Sequence, residues 1–192
     1  GINNLGKTTQ ANLLVDRMVG EGKGVLYLKY ALYNLSPSGP IINNYLRPVE
    51  GRPRNPHNLS PREFQILQAL NRTQYDEEVR CRLQSSQHIV AEDYVGTSIA
   101  WGMAAGVEKD FLVELNTHLA GADVSLLFDG ERFGGGKERG HAHEEDDSLT
   151  EKARIIHLEL AGEFGWHVVN ANRSVDAVHE EVWSIVRPIL KT

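Results

Sequence analysis

Apolar residues recur at three-to-four spacing after Lys7, where Ala11, Leu13, Leu14, Val15 and Met18 are followed by Gly20, Gly22 and Gly24, so the pattern predicts a helix from Lys7 to Gly20. The short apolar and aromatic run Val25 to Tyr30 reads as a strand. Six of the seven prolines fall between Leu35 and Pro61, which makes that stretch loop apart from a helical turn or two through Ile41 to Leu46. Ser60-Pro61-Arg62-Glu63 supplies an N-cap, a proline at the first helical position and an acid at the third, and opens a helix running to about Leu83. His88 to Ala91 reads as a buried strand ending at Glu92-Asp93-Tyr94. A segment from Thr97 to Gly106 and a helix from about Lys109 to Leu119 follow. Asp123 to Asp129 is the clearest strand. Leu149 to Phe164 is an amphipathic helix, Trp166 to Ala171 a last strand and Val175 to Leu190 a closing helix. Alternation of this kind implies an α/β fold, a parallel sheet with helices on both faces and ligands at the strands' carboxyl ends.

The first nine residues add chemistry to this outline. Gly1 to Thr9 fits the phosphate-binding pattern G-x-x-x-x-G-K-[ST] without a mismatch. In that pattern the backbone N–H groups of Gly1, Asn4, Leu5, Gly6, Lys7, Thr8 and Thr9 turn on a nucleotide's phosphates at the positive end of the following helix. Lys7 reaches the β and γ phosphates, and the Thr8 hydroxyl ligates Mg²⁺. Such a loop hangs from a buried parallel strand, which would precede Gly1.

Composition narrows the partner. At 192 residues the chain suits one domain, 1–192, and 41% hydrophobic with 24% charged is ordinary for a packed core. A net charge of −6 and a pI near 5.8 argue against a general nucleic-acid binder and favour a phosphorylated small molecule. The single cysteine, Cys81, excludes an intrachain disulfide and points to a reducing compartment. No apolar run approaches the ~20 residues that span a bilayer, so no membrane partner is expected. Residues 131–147 are glycine-rich and charged, a loop pattern. Within it, His141 to Asp147 reads as a solvated acidic patch more readily than as a metal site.

Taken together, these residues resemble the thymidylate kinases of the P-loop nucleoside monophosphate kinase family, nearly end to end. Gly1 to Gln10 is similar to the family's opening GxDxxGKTTQ. Gly39, Ile42, Tyr45 and Leu46 are similar to its G-x-x-I/L-x-x-Y-L helix, and Ala69-Leu70-Asn71-Arg72 to its ANR stretch. Ile89 to Tyr94 stands where the family has a strand and Asp-Arg-Tyr, Asp123 to Asp129 where it has PDLxLxLD, the charged loop where it has a lid, and Val168 to Val182 where it has its final strand and helix. The resemblance implies a sheet of order 2-3-1-4-5, transfer of the γ-phosphoryl group of ATP to dTMP with Mg²⁺, and a cytoplasmic homodimer. It places Glu92 near the metal and phosphates. Because the fourth loop position is Asn4 and not arginine, it assigns the catalytic positive charge to Arg132, Lys137 and Arg139 of the lid. For the acceptor it implies Asn3 near the sugar, Arg72 at the base, and Asp93 and Tyr94 at the strand end.

Departures accompany the resemblance. The aromatic that stacks on thymine falls on Gln68, so Phe64 or Tyr30 substitutes or base specificity differs. The two arginines that grip the acceptor phosphate are replaced: the F-P-x-R position reads Tyr30-Ala31-Leu32-Tyr33, and Asp93 stands in the other. Lys29 and Arg47 are the nearest basic residues. A deoxynucleoside kinase is the nearest alternative, although it carries Glu-Arg-Ser where this chain has Glu92-Asp93-Tyr94. A nucleotide-binding regulatory protein without an acceptor site is the alternative of another class. The absence of an N-K-x-D stretch disfavours a GTP switch.

Overall fold

Ser60 and Glu63 form the capping box their spacing spells: Glu63 Oε2 accepts from Ser60 N at 2.8 Å, and Ser60 Oγ accepts from Glu63 N at 3.3 Å. The helix they start, α3, runs over Pro61–Gln84 and is the longest element of the computed structural model, which describes residues 1–47, 55–133 and 147–190. Around it the chain orders α1 (Lys7–Gly20), β1 (Val25–Lys29), α2 (Ser38–Leu46), then β2 (His88–Glu92), α4 (Val95–Ala104) and α5 (Lys109–Glu114). After β3 (Leu126–Asp129) come α6 (Asp147–Phe164), β4 (His167–Asn170), α7 (Val175–Val186) and a 3₁₀ turn, Arg187–Ile189.

The strands form two parallel pairs, β1 with β2 and β3 with β4. In family numbering these are strands 2-3 and 4-5, the neighbours the sequence implies. Between β2 and β3 lies a cleft of about 770 Å³ lined by Ile89, Val90, Leu126, Phe128 and His157. Strand β2 is half-buried from His88 to Val90, exposed at Ala91 and buried at Glu92, where the apolar pattern had suggested burial on both faces. The main core joins α1, α4, α5, α6 and α7 through Leu14, Met18, Trp101, Leu112, Leu160, Val182 and Trp183. Full burial of each large apolar side chain contributes about 1.5–3 kcal/mol.

Several boundaries differ from the pattern, each for a local reason. Helix α5 stops at Glu114 and not near Leu119, because the Asn116 amide donates to Leu112 O at 2.8 Å and the Thr117 hydroxyl to Glu114 O at 2.9 Å, taking up carbonyls in a turn. Helix α7 ends at Val186 because Pro188 cannot continue it. Helix α2 starts at Ser38, three residues early, since Pro40 falls in a first turn whose N–H groups need no helical partner. The segment after Glu92 is a full helix, α4. Strand β3 begins at Leu126 and not Asp123, where its ladder with β4 starts.

Glycine is required at one crossing. A Cβ on Gly39 would stand 2.4 Å from both the Leu32 and Tyr33 carbonyl oxygens, so α2 lies directly on the chain leaving β1. Asn71 of α3, fully buried, fixes that same chain: it accepts from Leu32 N at 2.7 Å and donates to Leu32 O at 3.1 Å and Ser38 Oγ at 2.9 Å. Two helices thereby hold residues 30–33 at the carboxyl end of β1.

Candidate active site

The loop Gly1 to Gly6 enters α1 through left-handed backbone at Asn4 (φ 62°) and Gly6 (φ 72°), the second being the helix N-cap. That conformation suits glycine at the cap and leaves the first amides of α1 facing out of the helix end. Lys7 folds back across the loop, donating to Ile2 O at 2.8 Å and Gly1 O at 3.1 Å, with Asp93 Oδ1 3.5 Å from its ammonium.

Parallel register sets Lys29, the last residue of β1, beside Glu92, the last of β2. Glu92 is buried and engaged by three side chains. Thr8 Oγ1 donates to its Oε1 at 2.8 Å, Lys29 Nζ lies 3.1 Å from that oxygen, and the Tyr27 hydroxyl donates to its Oε2 at 2.5 Å. Lys29 Nζ also donates to Thr8 Oγ1 at 2.9 Å. Burial, and then the bond to Glu92, push the Tyr27 hydroxyl above its usual range, so it remains a donor. Thr8 and Glu92 are hard oxygen donors that already hold a cation between them, and the pair fits a magnesium ion. Among the described residues no three His, Cys, Asp or Glu side chains converge as a ready-made metal cage.

Asp93 has left-handed backbone (φ 57°), so its carboxylate parts from that of Glu92. Each of these adjacent acids therefore meets its own lysine, Glu92 with Lys29 and Asp93 with Lys7. This resolves the crowding of two carboxylates beside anionic ligands that the sequence presented.

The same loop forms one end of a cleft of about 330 Å³. Asn3, Lys7 and Thr8 line its donor end. Phe64, Gln65, Gln68 and Arg72 of α3 and Thr97, Ser98 and Trp101 of α4 line the other, with Tyr30, Tyr33 and Arg47 along one wall. Arg72 is almost wholly buried. Its Nη2 donates to Tyr94 O at 3.4 Å, the rings of Tyr30 and Tyr94 each lie 6.0 Å from it, and Nε and Nη1 have no partner. Burial lowers its pKa to about 10, which leaves it cationic at neutral pH. Phe64 stacks on Tyr45 at 3.8 Å, and Tyr30 tilts against Tyr94 at 5.1 Å, so each candidate ring has protein on one side. Tyr94 lies behind Arg72, its hydroxyl donating to Ala120 O at 3.1 Å, and does not line this cleft.

Of the lid candidates, Arg132 pairs with Asp147 at 3.1 Å and keeps Nε and Nη2 unpartnered. Its neighbour Phe133 donates from N to Asn4 O at 2.9 Å, which brings this stretch onto the phosphate loop. Lys137, Arg139 and the His141 to Asp146 part of the acidic patch lie outside the described residues. Sequence reading missed Gln65, Ser98 and Tyr27. Gln65, which accepts from Ser98 Oγ at 2.6 Å, shares a helical face with Gln68 and Arg72, and Tyr27 precedes Lys29 by two residues on one strand face. Those periodicities were the available signals.

A phosphate loop opening a helix, with a carboxylate on a neighbouring strand end and a cleft beyond, defines a P-loop phosphotransferase. The thymidylate kinase family model matches residues 1–182, and the chain belongs to that family. It is 28% identical to the probable thymidylate kinase of Pyrococcus abyssi, covering 97% of this chain and 93% of the relative. It is 29% identical to the thymidylate kinase of Syntrophotalea carbinolica, covering 95% and 90%. A solved thymidylate kinase structure from Candida albicans superposes with a TM-score of 0.80 over 98% of this chain and 88% of that one, at 20% identity, a likeness of fold.

Proposed function

We propose that the protein transfers the γ-phosphoryl group of ATP to dTMP, giving dTDP. The observation that carries this reading is one continuous cleft with the phosphate loop at one end and buried Arg72, whose Nε and Nη1 have no partner, at the other. A buried donor without a partner costs about 1–3 kcal/mol, and a base carbonyl oxygen placed there relieves it.

On this reading the loop amides of Gly1, Asn4, Leu5, Gly6, Lys7, Thr8 and Thr9 bind the phosphates of ATP. Lys7 exchanges the Gly1 and Ile2 carbonyls for phosphate oxygens, a stronger charge-assisted pair. Thr8 and Glu92 hold Mg²⁺, which offsets the negative charge of the transferring group. Arg132, together with Lys137 and Arg139, adds positive charge from the lid side. The acceptor is positioned by Asn3, Tyr30, Phe64, Gln68, Arg72, Asp93 and Tyr94, with Tyr94 acting from behind through Arg72 and Tyr30. Gln68 offers the base an amide where a ring is usual, and Phe64, almost wholly buried and stacked on Tyr45, is an aromatic ring of the cleft lining. A homodimer and a cytoplasmic setting complete the proposal. The family assignment and the unpaired, exposed Cys81 support them, and no helix of the described residues is long and apolar enough to cross a membrane.

A coupled assay of ADP release with Mg²⁺, run across dTMP, the other nucleoside monophosphates and thymidine, tests the proposal. Turnover with dTMP above the other acceptors is expected. Turnover with thymidine alone would favour the deoxynucleoside kinase, and ATP binding without any acceptor would favour the regulatory protein.

A further inference from the structure

Four cations border the cleft among the described residues: Lys7, Lys29, Arg47 and Arg72. An acceptor monophosphate brings a nearly dianionic group that must lie next to the donor's γ-phosphorus, at the Thr8 end. Three of the four are committed elsewhere. Lys7 is assigned above to the phosphates of ATP, Arg72 is buried at the base end, and Arg47 stacks on Tyr33 at 4.8 Å while donating to Asn43 Oδ1 at 3.0 Å. Tyr33 and Asp93 themselves stand where the resemblance leads one to expect arginines, so no guanidinium comes from those positions.

Lys29 differs in place and freedom. Its side chain is 52% exposed, it sits at the carboxyl end of β1, and its ammonium touches Thr8 Oγ1 and Glu92 Oε1, the two oxygens assigned above to the metal. A loaded donor site therefore takes away both partners of a flexible, solvent-reaching lysine. We propose that Lys29 is the residue that binds the acceptor's 5′-phosphate, replacing the two arginines. The inference rests on the proposed monophosphate acceptor.

Calorimetric binding of dTMP and of thymidine, in the presence of Mg²⁺ and ADP, separates the phosphate from the rest of the ligand. Lys29→Met should weaken dTMP about tenfold or more, the loss of a charge-assisted contact, and leave thymidine within about twofold. Lys29→Arg should retain most of the dTMP affinity. Because both ligands are read on the same sample, a general loss of fold moves both. Equal weakening of dTMP and thymidine by Lys29→Met, or no weakening of dTMP, overturns the assignment. Wild-type protein that binds dTMP without phosphorylating it refutes the proposed function but leaves the Lys29 contrast readable.

Discussion

Replacing Asn71 by alanine should cost more than its single position suggests. The side chain is fully buried and makes three hydrogen bonds, two of them to the N–H and C=O of Leu32, in a chain segment that has no strand partner there. Each orphaned buried group costs about 1–3 kcal/mol, and the released Ser38 hydroxyl keeps its other partner, Gln74, at 2.5 Å. Partial access of water to the vacated space lowers the sum, leaving an expected loss of about 3 kcal/mol. With a urea slope of about 2 kcal/mol/M the midpoint should fall by about 1.5 M. The damage should also reach function, because the segment holding Tyr30 and Tyr33 forms a wall of the cleft. In equilibrium urea unfolding monitored by circular dichroism, with dTMP kinetics on the same preparation, the acceptor KM should rise while the KM for ATP changes little. A stability loss below about 1 kcal/mol, or a KM effect confined to ATP, would refute the claim that Asn71 anchors this segment.

Two further predictions concern the buried frame. His157 is buried, its Nδ1–H donates to Ala153 O at 2.7 Å, and burial drives its pKa down to about 2, so the folded protein keeps it neutral. The unfolded chain takes up the proton near pH 6.5, so this contribution is complete above that pH and declines below it by about 1.4 kcal/mol per unit. Urea unfolding at pH 7 and pH 5 should show wild type losing about 2 kcal/mol more than His157→Leu on acidification, and parallel losses would refute it. Gly39→Ala should destabilise by about 2 kcal/mol, since its Cβ meets two backbone oxygens, whereas Gly162→Ala, with nothing within 4 Å, should be neutral or stabilising in the same melt.

Elements with a repeated signal were legible in the sequence. Helix α1 carries its stripe from Lys7 to Gly20 without interruption, and α3 announces its first turn through Ser60, Pro61 and Glu63. Ends governed by one side chain bonding locally were not legible, as Asn116 and Thr117 demonstrate at α5, because periodicity averages over such single bonds. The phosphate-loop pattern and the helix it opens were readable from a contiguous motif. The far wall of the cleft draws on α2, α3, α4 and the chain after β1, and Gln65 and Ser98 meet only because α3 and α4 pack together, a non-local fact. Likewise, the opposite turning of Glu92 and Asp93 depends on one backbone angle that no residue pattern encodes, aspartate being only a modest candidate for it.

Helix α3 also acts as a ruler. Phe64, Gln65, Gln68, Asn71 and Arg72 occupy about 12 Å of one continuous helix, each angular position fixed by the 100° step of the backbone. A lineage descending from this chain can retune one cleft-lining side chain at a time by point substitution, leaving its neighbours in register. Inserting a single residue between Gln65 and Asn71 would swing everything beyond it by about 100°, separating Arg72 from its tyrosines and Asn71 from Leu32 in one event. The spacing of this wall should therefore drift far more slowly than its identities.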